Sequence, residues 1–494
     1  MRPNILIFNP DEWRGDVLGH LGNPGAVTPH LDELVLKDGV SFGQTFCQNT
    51  VCAPSRCSFM TGWYPHVRGH RTMYHMLQPN EPMLLRTLKQ NGYRVWWGGK
   101  NDVVPGQLGL DAYCDVKFTP SPASAPMWGL DPAHTWRGDP GGRWYHSFYR
   151  GKIDTNPPGS HYPDGDWAVI EGAIEWLKSR PHHAEQPFCM YLPILYPHPP
   201  YAVEEPWYSM IDRTKIPKRI PTPNHGQSKA QMLQAIAAAQ NLWALTEDDW
   251  AEIRATYYAM CARVDHQFGL LVDVLKQIGE YDNTAIFVFS DHGDFAGDYG
   301  LVEKAQNCME DGLTRVPLVI KPPSSVAVVP GVRTALVELI DVPATVEDLT
   351  GVKPGHRHFG RSLVPLLEGA EGEHREAVFC EGGRLPGETE AMEWESGRRF
   401  AEPSRSLYWA RLSVQYGSGT AHGKAVMCRT ATHKYVHRLD GHHELYELGA
   451  DPGEERNVAA EPRLAAVRRD LEERVLQFFM ETADVVPWIP DRRS

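Results

Sequence analysis

The sequence predicts an α/β protein, with a mainly parallel sheet sandwiched by helices and a smaller C-terminal unit built on an antiparallel sheet. Three observations carry this prediction. Short apolar runs at 4–8, 93–97, 188–195 and 284–290 alternate with segments of helical period. Each run is followed at once by polar residues, at 11–12, 100–102, 198 and 291–292, as when buried parallel strands deliver side chains to one edge of a sheet. After about residue 370 the pattern changes to short strand-like runs. The expected units are 1–370 and 371–494.

Taken in order, residues 4–8 (Asn-Ile-Leu-Ile-Phe) form a buried strand ending in Asn-Pro-Asp-Glu, and a helix starts at 28–34. Residues 52–61 form a helix whose first turn holds Pro54, where a missing N–H costs nothing. A helix at 84–91 precedes the strand at 93–97, and a helix at 168–179 precedes the strand at 188–195. Trp250, Ile253, Tyr257, Val264, Phe268, Leu271 and Leu275 fall at helical spacing, so 247–278 is one long amphipathic helix closed by Gly279. Strands follow at 284–290 and 316–321. In the second unit, strands are expected at 377–380, 406–412, 424–430, 434–437 and 444–448, with a terminal helix at 461–481.

Composition narrows the class. A hydrophobic content of 42% with 22% charged residues suits a globular enzyme, and a formal charge of −13 argues against a nucleic-acid partner. No apolar stretch approaches the ~18 residues of a membrane span, and the N-terminus lacks the pattern of a signal peptide. A cytoplasmic protein with no membrane partner is therefore expected. Nine widely spaced cysteines do not form a disulfide framework, which fits that compartment.

Five groups of residues stand out. Residues 52–56 read Cys-Ala-Pro-Ser-Arg, residues 290–293 Ser-Asp-His-Gly and residues 315–318 Arg-Val-Pro-Leu. Asp11 and Glu12 follow the first strand. Glu-Leu-Tyr-Glu-Leu at 444–448, followed by Asp451-Pro452 and Glu455-Arg456-Asn457, closes the chain. In that order, over nearly the whole chain, these strings resemble the sulfatases. The resemblance implies the alkaline-phosphatase-like fold and hydrolysis of a sulfate monoester to an alcohol and inorganic sulfate. It also implies that Cys52 is converted to formylglycine by a formylglycine-generating enzyme, and that one hydroxyl of the hydrated aldehyde attacks sulfur.

Site residues are carried over position by position. Asp11, Glu12, Asp291 and His292 would hold one divalent metal ion, with residue 52 bridging metal and substrate. A crowded sulfate anion needs such neutralisation before a nucleophile can approach. Arg56 would hold the nucleophile and balance its charge. Lys100, His198 and Lys304 would contact the sulfate, with His198 or Lys304 assisting departure of the alcohol. Asp102 stands where the family usually has histidine and is counted with Lys100, His198 and Lys304 among the substrate-binding residues. Glu12 and His292 replace the commoner Asp and Asn, and the Asp-His pair resembles phosphonate monoester hydrolases and some arylsulfatase and choline-sulfatase relatives. Imidazole suits manganese or zinc better than calcium, so calcium and manganese both stand as candidates. A phosphonate monoester or phosphodiester hydrolase using the same site is the alternative reading.

Other features remain open at this level. His66 and His70 follow the nucleophile helix without an assigned step. Trp128, Trp136, Trp144, Tyr145 and Tyr149 in the 127–149 loop would either stack a sugar or aryl group or pack on one another. The Glu- and Arg-rich insert 383–405 would either cover the site or mediate assembly into a homo-oligomer.

Overall fold

Residues 4–11 are buried without exception in strand β1 (Asn4–Asp11). Ile5 and Ile7 enter one core and Leu6 and Phe8 the other, so the strand is apolar on both parities because both faces of its sheet are covered. The computed structural model describes residues 2–120, 135–180, 185–222, 229–394, 404, 406–417, 421–488 and 492–493. The large sheet has eight strands, in the order β8 (Gly331–Arg333), β2 (Val40–Phe42), β7 (Leu318–Lys321), β6 (Thr284–Phe289), β1, β5 (Phe188–Pro197), β3 (Arg94–Gly98) and β4 (Val116–Phe118). β7 runs antiparallel to both of its neighbours; all other adjacent pairs are parallel.

Helices α1 (Pro29–Lys37), α4 (Gly165–Ser179) and α6 (Glu247–Gln277) cover one face. Helices α2 (Cys52–Thr61), α3 (Leu84–Gln90) and α7 (Asp341–Thr350) cover the other. Thr246 and Asp249 close a reciprocal capping box that starts α6. Thr28 does not cap α1 with its side chain. Asp265 of α6 does so across the interface, accepting the His30 and Leu31 N–H groups at 3.0 and 2.9 Å.

The C-terminal strands β9 (Val378–Gly382), β10 (Ala425–Arg429), β11 (His433–Arg438) and β12 (Glu444–Glu447) form an antiparallel meander. Leu471, Val475 and Phe478 of α9 (Ala465–Thr482) share a core with Cys428 and Tyr435 of that sheet.

Two expectations need correction. Residues 406–412 are not a strand: helix α8 (Trp409–Gly417) occupies this stretch and packs on α5 (Gln231–Gln240). Leu407, Ala410, Arg411, Val414 and Gln415 are buried at spacings of three and four, a helical period that aromatic and β-branched neighbours obscure. The strand expected at 316–321 is divided at Pro317 into Arg315–Val316, which joins another small sheet, and β7. Pro317 has no N–H to continue the ladder.

The aromatic loop is resolved towards packing where it is described. Trp136, Trp144 and Tyr149 pack against the main core, and the Arg137 guanidinium lies 3.7 Å from the centre of the Tyr145 ring. Trp128 lies outside the described residues, as do 395–403 and 405 of the insert.

Candidate active site

Register places the first two carboxylates. β1 and β6 pair in parallel from Asn4 opposite Thr284 to Phe8 opposite Val288. The same offset brings Asp11 level with Asp291 at the carboxyl edge of the sheet, where ligands of such sheets gather. Gly293 is required just beyond, because a Cβ there would sit 2.0 Å from the Gly312 carbonyl oxygen.

Arg56, one turn into α2, lies fully buried behind both carboxylates. Its Nε donates to Asp291 Oδ2 at 2.9 Å and its Nη2 to Asp11 Oδ2 at 3.0 Å. Its Nη1 donates to Asn9 Oδ1 and the Tyr191 hydroxyl. With both Oδ2 atoms engaged by Arg56, the Oδ1 atoms face a common centre, Asp291 Oδ1 also accepting the Glu12 and His292 N–H groups at 3.2 and 3.0 Å. Arg56 therefore acts through Asp11 and Asp291, rather than reaching past them as its expected contact with the nucleophile would require.

Cys52 opens α2 and points its Sγ at the same centre. It lies 3.4 Å from Asp11 Oδ1 and 3.2 Å from His292 Nε2. His292 Nδ1 lies 2.9 Å from the Gly293 carbonyl oxygen. A proton on Nδ1 satisfies that contact and leaves the Nε2 lone pair facing the centre. His292 Nε2 is also 3.6 Å from Asp11 Oδ1 and 3.8 Å from Asp291 Oδ1. Donors that ring a divalent ion at ~2.0–2.4 Å lie about 3–4 Å from one another, so Asp11, residue 52, Asp291 and His292 fit a metal ion. These four form one metal-competent group, and Asp11, Glu12 and His198 form an overlapping one.

Glu12 thus stands apart from the four-donor group. Its backbone is left-handed (φ 70°), and Lys304 Nζ donates to its Oε2 at 2.8 Å. Burial pushes the Glu12 carboxyl well above its usual range, Lys304 opposing the rise and Asp294 adding to it.

The cations complete the site. Lys100 Nζ donates to Asp11 Oδ2 at 2.6 Å and pairs with Asp102 at 2.8 Å. Gly99 supplies the turn before Lys100, with φ +83° and room for no Cβ beside the Pro193 carbonyl oxygen. Asp102, predicted to bind substrate, instead holds Lys100; a carboxylate is a poor partner for a sulfate. Lys304 Nζ also donates to His198 Nε2 at 2.6 Å, and His198 Nδ1 lies 2.6 Å from the Pro199 carbonyl oxygen. Burial and then Lys304 hold His198 well below the usual imidazole range, so it stays neutral. For Asp11, burial works upward, but Lys100 and Arg56 outweigh it and keep the carboxylate ionised. Burial, with Asp11 next, pushes the Cys52 thiol far up. An unmodified thiol held protonated is a poor nucleophile.

The family profile described as Sulfatase matches residues 3–352. The chain belongs to the sulfatase family. Arylsulfatase K of Bos taurus is 24% identical to this sulfatase, covering 93% of the chain and 78% of the relative. The multifunctional alkaline phosphatase superfamily protein PehA of Trinickia caryophylli is 26% identical, covering 98% and 96%. In fold, the sulfatase superposes on the phosphonate monoester hydrolase of Agrobacterium radiobacter with a TM-score of 0.75, at 24% identity over 99% of this chain and 100% of the other.

Sequence reasoning missed several residues that this sulfatase brings to the site. Tyr408, just before α8, sets its ring edge-on to His198 at 6.4 Å and lies 5.8 Å from Phe148. Arg411 of α8 stands 3.6 Å from Glu303, which also pairs with Lys304 at 3.3 Å. No motif marked them, although the helical spacing at 407–415 would have shown that this segment packs inward. His66 pairs with Glu381 and reaches the Thr482 carbonyl oxygen, while His70 pairs with Glu81. Both are structural ties.

Proposed function

We propose that this sulfatase cleaves the sulfate monoester of a small-molecule alcohol with residue 52 as formylglycine and one divalent cation on Asp11, residue 52, Asp291 and His292. The observation that carries the reading is the position of Cys52, with Sγ at 3.2 Å from His292 Nε2 and 3.4 Å from Asp11 Oδ1. The hydrated aldehyde would supply the nucleophilic hydroxyl, and a cation held by these four residues would supply Lewis-acid withdrawal of charge from the ester oxygens.

The protein's own residues do the rest. Arg56 keeps both Oδ1 atoms aimed at the centre. Lys100 and Lys304 flank Cys52 with positive charge for the sulfate oxygens, and both groups influence the thiol. α2 begins at Cys52, so the positive end of its dipole lies there, and no side chain caps it. The proton for the departing alcohol resides on Lys304 Nζ, which donates to neutral His198; His198 orients it rather than supplying it.

Imidazole at 292 supports manganese over calcium, and metal-free enzyme reconstituted with each ion tests that choice. The same imidazole supports secondary action on phosphonate monoesters or phosphodiesters. Rates on matched aryl sulfate and aryl phosphonate esters separate the two, with sulfate expected to be faster. All nine cysteines are buried and unpaired, which supports a reducing compartment such as the cytoplasm. Maturation would require a formylglycine-generating enzyme. Mass spectrometry of the peptide spanning Cys52, from active enzyme, tests the central claim; a plain thiol in fully active protein would overturn it.

A further inference from the structure

A cleft of about 580 Å³ opens between the catalytic sheet's loops and the C-terminal meander, and none of the metal-donor residues lines it. Its charged wall has three arginines, Arg14, Arg315 and Arg429, against two aspartates, Asp16 and Asp311. Two of the arginines are committed. Arg14 forks onto Asp16 at 2.9 and 2.8 Å and reaches the Asp294 and Phe295 carbonyl oxygens. Arg429 forks onto Asp311 at 3.3 and 3.1 Å, and Asp311 also takes Lys434 at 2.6 Å.

Arg315 is different. Among the described residues its guanidinium makes no hydrogen bond and no ion pair within bonding distance, although it is half-buried in the wall and its charge helps hold Asp16 and Asp311 ionised. Beside it in the same cleft, Gln44 Oε1 is buried without a hydrogen-bond partner. Ile220 and Leu336 supply an apolar surface between polar groups. A guanidinium with no hydrogen bond of its own, an unsatisfied amide oxygen and an apolar wall in a cleft of ligand size are complementary to one kind of molecule.

We propose that this cleft binds a small organic anion, with its carboxylate, sulfate or phosphate head on Arg315, a hydroxyl or amide donor to Gln44, and its apolar body against Leu336. The guanidinium fork matches such a head bidentately. The site is independent of the ester chemistry. It touches the reaction centre mechanically, because Gly15 N–H donates to the Arg315 carbonyl oxygen at 2.9 Å and Arg14 holds the strand-end loop after Asp291.

The test is a thermal-shift titration of the full chain with 4-hydroxybenzoate, benzoate and inorganic sulfate. The wild type is expected to gain Tm with 4-hydroxybenzoate, and less with benzoate, which lacks the donor for Gln44. Arg315→Gln should raise the half-saturating concentration about tenfold or more, the size of one lost charge-assisted bond. Lys100→Ala, which weakens anion recognition at the reaction centre, should leave the response unchanged. Should Arg315→Gln fail to fold, Ala431→Trp on the cleft's exposed rim fills the space and should abolish the response. An equal response in wild type and either cleft variant, or loss of the response in Lys100→Ala, would overturn the proposal. A gain with inorganic sulfate that Arg315→Gln removes assigns the head-group contact alone to Arg315 and supports the site. No Tm gain in the wild type with any of the three probes rejects it.

Discussion

The two halves of the active site are built by different means. Asp11, Asp291, His292 and Arg56 lie on or directly after a central strand, or on a helix packed beneath it, and sheet register alone levels the two carboxylates. Lys304 sits on a stretch with left-handed residues on either side, Glu303 at φ 64° and Asn307 at φ 66°. Remote groups hold that stretch in place. The Tyr201 hydroxyl accepts the Glu303 N–H, Thr50 donates to the Ala305 carbonyl oxygen, and Asn307 donates to the Gly423 carbonyl oxygen. From the C-terminal sheet, Arg438 donates to the Asn307 carbonyl oxygen and Lys434 to that of Met309. One half is a product of regular structure; the other is strained backbone fixed by a second unit. The metal half should therefore answer only to its own residues, and the Lys304 half also to distant ones.

The largest effect is expected at the first half. Asp291→Asn keeps the shape and removes the charge, so turnover should fall about 10³-fold or more together with metal content. Turnover near wild type in metal-depleted protein would break the assignment. Lys304→Ala should lower kcat about 10²–10⁴-fold while metal content stays full, with esters of poorly acidic alcohols suffering most. Metal loss in this variant would show that the halves are not separable.

A distant tie gives the sharper comparison. Lys434 is buried and bonded to Asp311, Glu454 and the Met309 carbonyl oxygen. Lys434→Met leaves buried carboxylates short of a cation and should cost about 3–5 kcal/mol of stability. It should also lower kcat about tenfold with metal retained, as the Lys304 stretch loosens. Unchanged kcat in the folded variant would detach the C-terminal sheet from catalysis.

The smallest effect is a control on the scaffold. Burial raises the Asp265 carboxyl to about 7, although the His30 and Leu31 N–H groups oppose the rise. Its unfolded value is ~3.9, so between those values the folded state holds a proton that the unfolded state releases. Stability from this group is lost as pH climbs through that window. The Tm of the wild type relative to Asp265→Asn should thus fall between pH 5 and pH 8 by about 1–3 °C, with no change in metal content.

The same division explains what the sequence made legible. Strands β1, β3, β5 and β6 and helices α2 and α6 follow from apolar runs and periods that neighbours do not override. Asp11, Asp291 and Lys100 follow from them because a strand end is a local feature. Glu12 was read as an equivalent ligand, but its backbone is left-handed and its carboxylate pairs with Lys304, which adjacency in sequence does not reveal. Tyr408 and Arg411 were hidden because their helix carries Trp409, Val414 and Tyr416, residues that favour strands. Its helical state is decided by packing on α5.

Every residue of α2 is buried, and Cys52 has no accessible surface. Any catalyst that must grasp that side chain and oxidise it has to do so before α2 is enclosed between the sheet and α7. The readiness of this enzyme for its reaction would then be decided during synthesis, by a race between chain closure and chemical maturation. Protein that folded first would be sound, stable and permanently inactive.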